Sequence, residues 1–61
     1  MRYNIKIGEY EFNGEVDAQT TLQAVVMTLN LMDIRVPSLL KQNGRYQGTT
    51  LQGHNVEVEV W

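Results

Sequence analysis

The chain has 61 residues, a formal charge of −2 and no cysteine, which allows one small domain and excludes a disulfide framework. One histidine without any cysteine leaves too few ligands for a structural zinc site, so no metal or cofactor is expected, and the slight negative charge gives no global attraction to nucleic acid or anionic lipid. No apolar run approaches the ~18–20 residues needed to cross a bilayer, and the alternating start MRYNIKIGEYEF lacks the apolar core of a secretion signal, so the expectation is a cytoplasmic protein with no membrane partner.

Residues 2–7, RYNIKI, place Tyr3, Ile5 and Ile7 on one side and Arg2, Asn4 and Lys6 on the other, the period of a half-buried strand. Residues 10–16 repeat the pattern, with Tyr10, Phe12 and Val16 inward and Glu11, Asn13 and Glu15 outward. Gly8-Glu9 between them suits a two-residue type II′ hairpin, which needs positive φ at its first position. That turn opposes Ile7 to Tyr10, Ile5 to Phe12 and Tyr3 to Gly14, so inward positions meet inward positions. A turn at Asn13-Gly14 would instead oppose Phe12 to Glu15 and bring a charge onto the core face, which the register rule rejects. Gly14 is then a strand glycine, at a bulge or under the ring of Tyr3.

Thr20-Thr21-Leu22-Gln23 fits a capping box and predicts a helix to about Met32, ended by the Asp33–Pro37 stretch because Pro37 disfavours helical geometry at Val36. At ~100° per residue, Ala18, Leu22, Val25, Val26, Leu29 and Met32 form the stripe that should face the sheet. Ala24, Met27 and Leu31 gather on the other side, an apolar patch read as an interface with another chain, foremost a second copy of this one. The alternative is that Leu31 lies beyond the helix end and tucks under residues 33–40.

Residues 38–53 have two readings: a hairpin through Asn43-Gly44, or a short helical turn begun by Leu39 and Leu40. The final run NVEVEVW predicts a strand with Val56, Val58 and Val60 inward and Glu57, Glu59 and Trp61 outward. Its acidic face would complement Arg2 and Lys6 on the first strand, which places those two strands side by side. The expected fold is α+β: a small mixed sheet with one helix packed across it, in the order strand, strand, helix, one or two short strands, strand.

In MRYNIKIGEYEFNGEV, TTLQAVV and KQNGRYQGTTLQGHNVEVEV this order resembles the β-grasp fold of ubiquitin and the small sulfur-carrier proteins. The resemblance covers most of the chain. Those families work through a C-terminal tail ending in Gly-Gly, which the closing residues here do not match, so the resemblance implies a fold and no activity.

His54 in the turn-like GHN has Glu57 as its only nearby acid and reads as a turn residue. Arg35, Lys41 and Arg45 lie in an acid-free segment with Tyr46 and Gln47, a candidate contact for an anionic partner such as nucleic acid. Three cations release few counterions, which favours a plain solvated segment. Glu9, Glu11, Glu15 and Asp17 form an acidic counterpart that could dock on the basic segment of another subunit. No nucleophile, base and orienting group occur together. The sequence therefore points to a non-enzymatic binding, regulatory or adaptor protein that self-associates, with a nucleic-acid-associated regulator as the second reading. Small size and absent motifs would suit a phage or other mobile element.

Overall fold

The computed structural model describes residues 1–61 as β1 (Arg2–Ile7), β2 (Tyr10–Glu15), α1 (Thr21–Leu31), β3 (Leu39–Gln42), β4 (Arg45–Thr49) and β5 (Asn55–Val60). One five-stranded sheet runs β2-β1-β5-β4-β3, and α1 packs across it over β1 and β5. The first hairpin has the register dictated by its alternation: Ile7 faces Tyr10, Ile5 faces Phe12 and Tyr3 faces Gly14. Of the two turn residues only Gly8 has positive φ, +57°, as a type II′ turn requires. Gly14 stays in register without a bulge and lies beneath Tyr3, whose hydroxyl would stand 2.7 Å from an added Cβ.

β1 and β5 are neighbours, with Lys6 opposite Glu57. The sheet is antiparallel throughout, not mixed. The reason is the second hairpin. Asn43 and Gly44 take φ of 53° and 76°, the paired left-handed conformation of a type I′ turn. β3 therefore reverses into β4, which reverses again into β5, and the last strand returns opposed to β1. The helical reading of Leu39 and Leu40 gives way to this hairpin, in which they begin β3.

Thr20 caps α1: its Oγ1 accepts from the Gln23 amide at 3.1 Å. Gln23 reaches back one residue further than in a simple box, its Oε1 accepting from the Gln19 amide at 2.9 Å. At the other end Asp33, not Pro37, stops the helix. Its φ is +55°, its amide donates to the Asn30 carbonyl, and the Ile34 amide donates to the Leu29 carbonyl. Those two bonds make a Schellman motif.

The buried side of α1 is Ala24, Val25, Thr28 and Leu29, whereas Leu22 and Val26 are exposed. This is a turn of roughly 60° from the stripe read off the sequence, at ~100° per residue. Ala24 is fully buried under its own helix and belongs to no outward patch. Thr28 explains the rotation: its hydroxyl donates to the Ala24 carbonyl at 2.6 Å, so a residue that reads as polar enters the core with its hydrogen bond made. The core comprises Ile5, Val25, Leu29, Tyr46, Val56 and Val58.

Candidate functional site

A strand on the edge of a sheet is covered only if something reaches it. α1 is 11 residues long, and a helix is ~10–12 Å across with side chains while strands lie ~4.8 Å apart. One helix therefore shields about two strands, here β1 and β5, and β2 is left bare. Tyr10 and Phe12 project on the helix side of β2, as the hairpin register demands, yet are 70% and 41% exposed. Their rings stack with centroids 6.4 Å apart and planes inclined by 18°.

The orientation of α1 divides its remaining apolar residues between two flanks. Val26 borders a groove with Ile34, Val36, Pro37 and Leu39, so that flank of the helix looks towards β3. Going round the helix at ~100° per residue, Met27 and Leu31 come out on the other flank, away from β3. Leu31, the last helical residue, is 73% exposed, and Met27 is half-buried. Leu31 neither lies past the helix end nor tucks under residues 33–40. The C-terminal end of α1 stands by Ile7, which shares a pocket with Asp33 and Ile34. Ile7 is paired with Tyr10. Tyr10 and Phe12 on the edge strand, and Met27 and Leu31 on the flank of α1 turned away from Val26, are the apolar residues available for a contact surface.

Of the interface residues read from the sequence, Met27 and Leu31 lie on this surface and Ala24 does not. Tyr10 and Phe12 were missing from that reading. β2 is an edge strand because β4 and β3 join the sheet beyond β5 and not beside β2, which the alternation of residues 10–16 does not encode.

The basic-aromatic segment does not form one surface. Tyr46 is buried in the core, and its hydroxyl lies 3.1 Å from Thr21 Oγ1, so no ring face is free to stack on a base. Arg45 is its neighbour in a strand and points to the opposite side of the sheet. There its Nη1 donates to Glu57 Oε1 at 2.9 Å and its Nε lies 3.3 Å from Glu59 Oε1. Lys41 sits on the helix side with its Nζ 5.8 Å from the Tyr46 ring centre, and Arg35 is exposed in the segment after α1. The candidate contact formed by Arg35, Lys41, Arg45 and Tyr46 is thereby divided among three places.

The acidic residues are partly engaged within the chain: Glu11 accepts from Asn4 Nδ2 at 2.9 Å, and Arg2 lies 3.5 Å from Glu15. His54 is exposed; its amide donates to Thr50 Oγ1 at 3.1 Å and its carbonyl accepts from the Thr50 amide, the bonding of a turn residue. No group of three His, Cys, Asp or Glu side chains is placed to hold a metal ion, and no helix is long and apolar enough to cross a membrane. No family model matches the chain, and no curated protein or solved structure matches it.

Proposed function

We propose that this is a non-enzymatic binding protein of regulatory or adaptor type, which acts through protein–protein contacts and self-associates on the surface formed by Tyr10, Phe12, Met27 and Leu31. The observation that carries the reading is a pair of stacked, exposed aromatic rings on the edge strand β2, with the exposed Leu31 at the end of α1 beside it in the proposed surface. A 61-residue chain with only ten buried residues has a small core, and covering these side chains would add ~1.5–3 kcal/mol for each large one. The β-grasp likeness enters only through the order of elements and carries no activity. A cytoplasmic setting suits a chain without cysteine. The nucleic-acid reading has less support, because the cations at 35, 41 and 45 are dispersed and Arg45 is paired.

The test is sedimentation equilibrium of the parent chain against Leu31→Asp and Met27→Asp, with Leu22→Asp on the opposite flank as the control. The parent and the control should associate at micromolar concentration while the other two sediment as monomers. A parent chain that remains monomeric and binds no protein from its host would end the proposal.

A further inference from the structure

Resting on that reading, we infer how the second copy docks: the β2 edges of two chains pair antiparallel about a two-fold axis at Phe12, joining two five-stranded sheets into one of ten strands. The free backbone groups of β2 follow from its pairing with β1. Met1 and Val16 exchange hydrogen bonds, the Met1 amine donating to the Val16 carbonyl and the Val16 amide to the Met1 carbonyl, both at 2.8 Å. In an antiparallel pair, hydrogen-bonded and non-hydrogen-bonded positions alternate. Tyr10, Phe12 and Gly14 therefore bond to β1, and Glu11, Asn13 and Glu15 direct their amides and carbonyls to the open edge.

Side-chain parity and charge then select the register. A shift by an odd number of residues would set Phe12 against a residue of the opposite sheet face. Among in-phase registers near the middle of the strand, one sets Glu11 against the partner's Glu11 and another sets Glu11 against the partner's Glu15, which like charges oppose. The remaining register sets Phe12 against the partner's Phe12, Tyr10 against the partner's Gly14, and Glu11 against the partner's Asn13. There the outward backbone groups of residues 11 and 13 meet in hydrogen-bonding positions, and a carboxylate faces an amide donor. Two like-charge contacts remain, Glu9 with the partner's Glu15 at each end of the seam, but Glu9 lies in the turn outside β2 and Arg2 already accompanies Glu15.

The shape agrees. A two-fold axis normal to the sheet leaves both helices on one side. With each helix over β1 and β5, their axes stand roughly 19 Å apart across the seam at ~4.8 Å per strand. Helices ~10–12 Å wide leave a gap of about 8 Å, which Tyr10, Phe12, Met27 and Leu31 of both copies fill. Aromatic side chains carry ~150–250 Å² each, so Tyr10 and Phe12 alone offer roughly 200 Å² per chain. With Met27, Leu31 and the strand itself, the pair reaches the ~1,000 Å² expected of a specific interface.

Cross-linking tests the register directly. The chain has no cysteine, so Phe12→Cys supplies the sole thiol. Opposed non-hydrogen-bonded residues have Cα atoms ~4.5 Å apart, within reach of a disulfide. Mild oxidation should convert most of Phe12→Cys to a covalent dimer, whereas Glu11→Cys, diagonal to its own copy, should cross-link at least tenfold less. Asn13→Pro removes an edge amide but no bond to β1, and should weaken association at least tenfold with an unchanged circular dichroism spectrum. If that variant fails to fold, the two cysteine variants decide. A dimer that persists in folded Asn13→Pro, or cross-links equally at 11 and 12, overturns edge pairing while leaving association through the apolar surface intact. Loss of the dimer in Leu51→Asp but not Leu31→Asp would move the contact to the groove on the β3 side and overturn both.

Discussion

The Thr28 hydroxyl donates to the Ala24 carbonyl at 2.6 Å, and both residues are fully buried. The bond satisfies the one polar side chain on the flank of α1 that meets the sheet. Because Ala24 O keeps its place in the helical ladder, removing the hydroxyl strands no partner. Thr28→Val should therefore leave thermal stability within ~0.5 kcal/mol of the parent or raise it, while Thr28→Ser, which deletes a methyl from the core, should cost about 1 kcal/mol. Urea titrations of the two variants provide the comparison, and a Thr28→Val protein losing more than Thr28→Ser would show that the hydroxyl matters more than the packing.

Asp33 offers the reverse case, a residue whose backbone works against it. At φ +55° a non-glycine residue is strained in a position that helices usually give to glycine. Asp33→Gly should raise stability by ~0.5–1 kcal/mol, which in a domain of this size is about 2–8 °C in Tm. Differential scanning calorimetry measures it; an unchanged or lower Tm would mean that the Asp33 side chain compensates the strain.

What could be read from the residues follows from what each periodicity specifies. The first hairpin was legible in full, since a period of two permits one register with Phe12 and Ile5 on the same face. Asn43-Gly44 announced the second hairpin as one of two options. The facing of α1 was not legible to that precision, because hydropathy counts Thr28 as polar while its own helix satisfies it. The basic-aromatic patch failed for a related reason: Arg45 and Tyr46 are adjacent in sequence, and adjacency within a strand sends two side chains to opposite faces. Exposure of Tyr10 and Phe12 depends on how many strands one helix covers, which alternation does not encode.

Gly48 is set where the chain after α1 crosses β4. A Cβ there would collide with the Val36 side chain and stand 2.6 Å from the Ser38 carbonyl oxygen and 3.2 Å from Leu39 Cδ2. Backbone cannot yield as a side-chain tip can, so Gly48→Ala should cost ~1–3 kcal/mol. Gly14→Ala meets only the movable ring of Tyr3 and should cost less. Chemical denaturation ranks the pair, and equal losses would contradict the packing described for the 36–39 crossing.

Arg45 holds two carboxylates, Glu57 at 2.9 Å and Glu59 at 3.3 Å, on the face of the sheet away from α1. Its side chain is 48% exposed, so the pairs are partly screened and worth ~0.2–1 kcal/mol in total. Removing the cation also leaves Glu57 and Glu59 two residues apart on one face, with Lys6 opposite Glu57 as the compensating charge across β1. Arg45→Met should lower the Tm by a few degrees in dilute buffer, and the gap to the parent should shrink in 1 M salt, where the screening length falls to ~3 Å. Titration with single-stranded nucleic acid at low salt separates this structural role from a recognition role: parent and variant should behave alike. Parent binding that disappears in Arg45→Met would return the segment 35–47 to the position of an anion-binding surface.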